Sequence, residues 1–154
     1  MTTVDLDIKE WKNKCKYQYH MDPNEMPSLK QRLTKEDLWH KHSEFSELLT
    51  DNIGFINNLL MKVKDVPFLL AITDNEGYIL KTYSDGSMKG MLDTMGISEG
   101  VQYKEQDVGV NSISMSLLLQ QPVQILGNEH YHYCLHNMSC LSVPFPLSST
   151  TIGT

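Results

Sequence analysis

The stretch from Phe68 to Tyr83 constrains the fold most. Phe68-Leu69-Leu70-Ala71-Ile72-Thr73 is an apolar run of strand length, and Tyr78-Ile79-Leu80-Lys81-Thr82-Tyr83 is its match. Between them lies Asp74-Asn75-Glu76-Gly77, in which a short carboxylate can bond the turn backbone and glycine supplies positive φ. This pattern predicts an antiparallel hairpin. Pro67 bars any helix from running into it. Upstream, Leu38, Phe45, Leu48, Leu49, Ile53, Ile56, Leu59, Leu60 and Val63 recur mostly every three or four residues. The spacing predicts one long amphipathic helix over 35–64, begun by Thr34 with Asp37 as a capping box, with Gly54 its weak point.

A shorter helix is expected over 5–17, carrying Ile8, Trp11 and Cys15, and ended by Asp22-Pro23 and Met26-Pro27. Beyond the hairpin, Met88, Met91, Leu92 and Met95 give a short helix closed by Gly96. Residues 97–110 lack periodicity and read as a long connection, a kind of segment that is usually functional or mobile. Asn111 can cap a helix from Ser112 to Gln120 with Ile113, Leu117 and Leu118 inward. A strand over Val123–Leu126, a helical turn near Tyr131 and Leu135, and an edge strand from Ser139 to Phe145 complete the order. The fold class is α+β, a central antiparallel sheet with helices on both sides. Residues 1–33 form a leader and 34–154 the main domain.

Composition removes several functions. The 154 residues carry a formal charge of −6 without a cluster of Lys and Arg, so no direct nucleic-acid contact is expected. The N-terminus has neither a basic nor an apolar signal region, and no apolar stretch approaches the roughly 20 residues that span a bilayer. A cytoplasmic protein without membrane contact is expected. Its three cysteines, Cys15, Cys134 and Cys140, form no regular framework and read as reduced thiols, two of them half-buried. Walker, dinucleotide-binding and serine-hydrolase motifs are missing from the sequence.

The segment from Asn128 to Cys140 holds His130, His132, His136, Cys134 and Cys140. Imidazole and thiolate suit zinc or iron, yet the spacing completes no ligand template. No metal or other cofactor is assigned. The histidines read as cap partners, surface residues or pocket hydrogen-bonding groups. Cys140 as a reactive nucleophile would need a lowered pKa, and a buried core thiol is the plainer reading.

Ordered motifs then carry a resemblance. Gly100-Val-Gln-Tyr103-Lys-Glu105, Gly109-Val110-Asn111-Ser-Ile113, Pro122-Val-Gln, Glu129-His130, and Ser139-Cys140 through Val143-Pro144-Phe145 follow one pattern. They resemble the GAF (PAS-related) sensor domain of sigma-54-dependent transcriptional activators, of the kind that regulate acetoin and glycerol catabolism. Glu10-Trp11-x-x-x-Cys15 and Asp22-Pro23 resemble the leader of those regulators. The resemblance implies a small-molecule effector domain that controls an AAA+ ATPase and a helix-turn-helix module, neither of which lies in this sequence. It also implies that the family's last strand and following helix begin near Thr151–Thr154, so the domain is expected to lack them. Tyr103 stands where the family has Trp, Val110 where it has Thr, and Leu141 and Val143 where it has small residues. Those departures imply a more apolar or smaller pocket, so the effector does not carry over.

A non-enzymatic sensor is expected, with its ligand between the sheet and the 97–120 segment. Tyr103, Asn111, His130 and Cys140 are the candidate polar groups, and Ile72, Tyr83, Val110, Leu126 and Tyr131 the walls. The 35–64 helix is the expected homodimer element. A ligand-free dimerisation domain, a cysteine-based GAF reductase and a metal-based sensor are the alternatives.

Overall fold

A computed structural model describes residues 7–148 and 151–153, of which 146–148 and 151–153 are described as backbone only. The sequence expectations for residues 5, 6 and 154 lie outside the described residues. Helix α1 (Ile8–Tyr17) starts at Asp7, whose carboxylate accepts from the Glu10 amide at 3.0 Å. The leader then turns through His20, at φ +54°, and again at Asp22–Glu25, before continuing without regular structure to Thr34. There the threonine hydroxyl accepts from the Asp37 amide at 3.1 Å and donates to the Asp37 carboxylate at 2.7 Å, which caps α2 (Lys35–Glu44).

The single helix expected over 35–64 is three helices: α2, α3 (Ser46–Asp51) and α4 (Ile53–Val63). The interruptions fall at Phe45 and Asn52, not at Gly54. Both residues leave helical geometry, with ψ of 9° and 2°. Phe45 is buried, so packing sets its backbone. Asn52 turns its side-chain amide onto the Leu48 carbonyl at 2.9 Å, the local competition that makes asparagine a weak helix interior residue.

The hairpin forms as read. Strands β1 (Leu69–Thr73) and β2 (Ile79–Ser84) pair antiparallel, with Leu70 opposite Tyr83 and Ala71 opposite Thr82. Asp74 closes the turn: its Oδ1 accepts from the amides of Glu76 and Tyr78, both at 2.9 Å. Its other oxygen takes the ammonium of Lys41, tying α2 to the turn, and His42 Nε2 lies 2.6 Å from the Leu80 carbonyl. Helix α5 (Lys89–Met95) ends on Gly96 at φ +72°. The connection after it holds bridges from Val101 to Arg32 and from Gln102 to Tyr78, then the single turn α6 (Glu105–Val108).

Asn111 caps α7 (Ser112–Leu119), and the helix seats on β3 (Val123–Leu126) and β4 (Ser139–Ser142). Its inner face is Ser112, Met115 and Ser116, so the expected inward Leu118 is instead 65 % exposed, and Ile113 and Leu117 are half-buried. Small polar side chains allow close approach here: Ser112 and Ser142 hydroxyls meet at 2.9 Å. The expected 139–145 strand breaks at Val143-Pro144, and β5 (Phe145–Ser148) pairs with β6 (Thr151–Gly153). In place of one central sheet, the described strands make three two-stranded antiparallel pairs.

Two apolar clusters form the core. One joins Cys15, Val110, Met115, Val123, Ile125 and Tyr131, with Trp11 and Met21 against it, so the leader is part of this core. The other gathers Ile79, Met95, Ile97, Val108 and Leu135, with Tyr103 and Met138 alongside. Val108 and Val110 thus belong to different clusters, with Gly109 between them at φ +70°. A Cβ on Gly109 would stand 2.9 Å from the Tyr131 Cβ, so the residue is required both by its dihedral and by the approach.

Candidate functional site

The structure brings His130, Cys140 and Tyr103 together. The turn Gly127–Glu129 after β3 delivers His130, which is buried, and Cys140 comes from β4 alongside. Glu129 fixes that turn, its carboxylate accepting from the Leu126 amide at 2.6 Å. His130 Nδ1 lies 2.9 Å from the Gly127 carbonyl and Nε2 lies 3.3 Å from Cys140 Sγ. A carbonyl only accepts, so Nδ1 carries the proton and Nε2 accepts from the thiol. Burial holds the His130 pKa below its ordinary value and pushes the Cys140 thiol up. Both groups are therefore neutral, the opposite of the thiolate–imidazolium pair that a reactive cysteine needs.

Tyr103 lies near Cys140, and burial first, then that thiol, drives its phenol pKa strongly upward. Tyr103 as a whole is half-buried. Asn111 is fully engaged as a cap: Oδ1 accepts from the Ser114 amide at 2.8 Å, and Nδ2 donates to the Gly109 carbonyl at 2.9 Å. Val110 and Tyr131 sit in the cluster with the leader, and the Tyr131 hydroxyl donates to the Met21 carbonyl at 2.7 Å. Ile72 and Tyr83 are half-buried on the hairpin, and Leu126 points outward from β3, 44 % exposed. Cys15 is buried, Cys140 half-buried and Cys134 exposed, so one thiol rather than two is half-buried.

A cavity of about 550 Å³ lies elsewhere, as an open groove between α1, the leader and the 131–133 segment. Lys12, Lys16, His20, Met21, Asp22 and Tyr133 line it, and Tyr131 is the one candidate wall residue that reaches it. Sequence reasoning missed two features. Glu105 forms a 3.0 Å ion pair with Lys14, clamping α6 to the leader while its Oε1 stays buried without a partner. His132, buried beside Tyr131, has no hydrogen-bond partner on either ring nitrogen. Nothing in the sequence separates His132 from its neighbours His130 and His136. Among the described residues no three His, Cys, Asp or Glu side chains cluster to hold a metal, and no helix is long and apolar enough to cross a membrane.

The fold is α+β, small antiparallel sheets with helices packed on them. Its structural likeness to the N-terminal part of DhaR from E. coli, seen in a DhaR(N)–DhaL complex, has a TM-score of 0.80 at 17 % identity. That match covers 95 % of this chain and 50 % of the other and shows the shared fold. No family model matches the chain. In sequence it is 29 % identical over 120 residues to the acetoin dehydrogenase operon transcriptional activator AcoR of Bacillus subtilis, covering 77 % of this chain and 19 % of AcoR. It is 24 % identical over 149 residues to the propane 2-monooxygenase operon transcriptional activator MimR of Mycolicibacterium goodii, covering 95 % of this chain and 24 % of MimR. A Rhodococcus erythropolis protein described as an uncharacterized 47.3 kDa protein in the thcA 5' region is 34 % identical over 58 % of this chain and 21 % of its own length. The homologues over most of the chain are sigma-54-dependent transcriptional activators, as the motifs implied. The chain spans about a fifth to a quarter of the length of these relatives.

Proposed function

We propose that the chain is the signal-receiving domain of a cytoplasmic sigma-54-dependent activator, and that it takes a small effector at Tyr103, His130 and Cys140. The observation that carries this reading is the similarity to transcriptional activators over most of the chain. The half-buried Tyr103 phenol, desolvated beside Cys140, supports the site, because a poorly solvated polar group gains from a ligand that supplies a partner. Ile72, Tyr83, Val110 and Tyr131 are proposed walls, Asn111 holds the adjoining helix start, and Leu126 contributes from the rim. Effector binding would bias an ATPase and a helix-turn-helix module on the full-length regulator, and the chain would pair as a homodimer. Trp39, Phe55 and Met61, each more than 60 % exposed on α2 and α4, support that pairing.

Native mass spectrometry of the protein from its own host tests the reading. A bound mass of a few hundred daltons, lost on Tyr103→Phe, is the expected result; an unloaded protein that binds no metabolite refutes it. A second reading takes a protein as the signal. It is favoured by the cavity, an open groove that shares only Tyr131 with the candidate site, and by the protein partner DhaL that DhaR(N) carries in the similar structure.

A further inference from the structure

The leader crosses the 131–133 segment and is fastened on both sides of one histidine. On one side the Tyr131 hydroxyl donates to the Met21 carbonyl at 2.7 Å. On the other the Tyr133 amide donates to the Pro23 carbonyl at 2.9 Å. His132, between them, is 3 % exposed, and its two ring nitrogens take no hydrogen bond. Native interiors rarely leave such groups bare, so a bare one invites explanation. The charged groups that face it are the carboxylates of Asp22 and Glu25 on the leader, and the Tyr131 ring meets its edge at 5.3 Å. Asp22 is already engaged, accepting from the backbone and side-chain amides of Asn24 at 2.8 and 2.9 Å.

We propose that His132 is a proton-operated latch on the leader, holding it closed while the ring is neutral and releasing it when the ring takes a proton. The neutral ring satisfies neither nitrogen but packs as an apolar disc under the leader. The cation would sit 3 % exposed with only the nearby peptide groups of Glu25 and Asp22 to take its protons, neither at hydrogen-bonding geometry, so charging the ring favours the open leader, where water solvates it. Burial lowers the pKa of the closed form, against the smaller upward pull of the peptide groups and carboxylates of Glu25 and Asp22. The direction follows: the closed form binds the proton less well than the open one. Its advantage is complete above the ordinary histidine value of about 6.5 and falls as pH drops below it, by up to about tenfold per pH unit until the closed form itself titrates. Released, residues 18–26 would also uncover Tyr131 and open the groove floor, so the latch would couple acidity to the core cluster that α1 completes.

Hydrogen exchange by mass spectrometry, read as protection factors from pH 7.5 to 5.5, tests the latch on the whole chain. Amides of residues 8–26 are expected to lose up to about tenfold in protection between pH 7.5 and 5.5, while the β1–β2 hairpin keeps its own. His132→Phe should remove the pH dependence of the leader, and His20→Gln should keep it. A flat leader profile in the unmodified protein, or an unchanged fall in His132→Phe, overturns the proposal. If His132→Phe does not fold, NMR titration of the His132 ring decides instead: a pKa below 6.5 upholds the latch and one above it refutes it.

Discussion

Asp74→Ala should be among the most damaging single substitutions outside the apolar core. Its carboxylate is fully buried and accepts two backbone amides at 2.9 Å, and its second oxygen takes the Lys41 ammonium. Hydrogen bonds to a charged group contribute about 1.5–3 kcal/mol each, and breaking a buried ion pair by removing one partner costs about 3–5 kcal/mol. These contributions overlap, and Lys41 keeps Glu76 at 3.1 Å as a partial substitute, so about 3–4 kcal/mol is expected in total. Asp74→Asn retains an oxygen for the two amides and loses mainly the ammonium, so it should cost about 1–2 kcal/mol. Urea denaturation followed by far-UV circular dichroism gives both values if the slope with denaturant is unchanged. Equal losses for the two variants would refute the reasoning, because they would show that the amides contribute nothing. A loss under about 1 kcal/mol for Asp74→Ala would refute it more directly.

Gly109→Ala should cost about 2–3 kcal/mol, since the residue sits at φ +70°, ψ −149° and its Cβ would stand 2.9 Å from the Tyr131 Cβ; a thermal melt shows it as a lowered Tm. Gly54→Ala should instead add up to about 0.5 kcal/mol, because the position is in the first turn of α4 with nothing within 4 Å of the added methyl. Thiol labelling at pH 8 should proceed quickly at exposed Cys134 and slowly at Cys140. Cys15, buried and with its pKa pushed up to about 11 by that burial and by Glu105, should label only on unfolding, which peptide mapping would resolve.

The parts of the fold legible in the sequence are those decided within a few residues. Asp74 to Gly77 makes its turn with its own side chain and backbone, Thr34 and Asn111 cap their helices through the third residue on, and Gly96 ends α5 at positive φ. The long helix failed because its interruptions come from elsewhere: Phe45 answers to the core, and Asn52 has a carbonyl within reach that periodicity does not weigh. The face of α7 was misread for a different reason. Large apolar residues were expected inward, but this helix approaches β4 through Ser112 and Ser116, leaving Leu118 outside. The cluster of His130 with Cys140 could be anticipated only from motif order, since a contact between residues 130 and 140 depends on how the turn after β3 folds.

The placement of Gly109 explains how a change at Tyr103 would reach the leader. Tyr103 packs against the cluster that contains Val108, while Val110 belongs to the cluster that contains Cys15 of α1. Only one residue separates the two valines, and neither side of it has slack: the backbone approaches Tyr131 and the Cys15 thiol closely. Glu105, at the start of the same turn, is tied to Lys14. A ligand that moved Tyr103 would therefore press on α6 and the 108–110 backbone together, and the leader is what they both press against. Close-packed clusters joined by so short a segment shift as units, because sliding one valine alone would open a void on its own side. In the proposed sensor the leader is thus an output of the site as much as a part of the core.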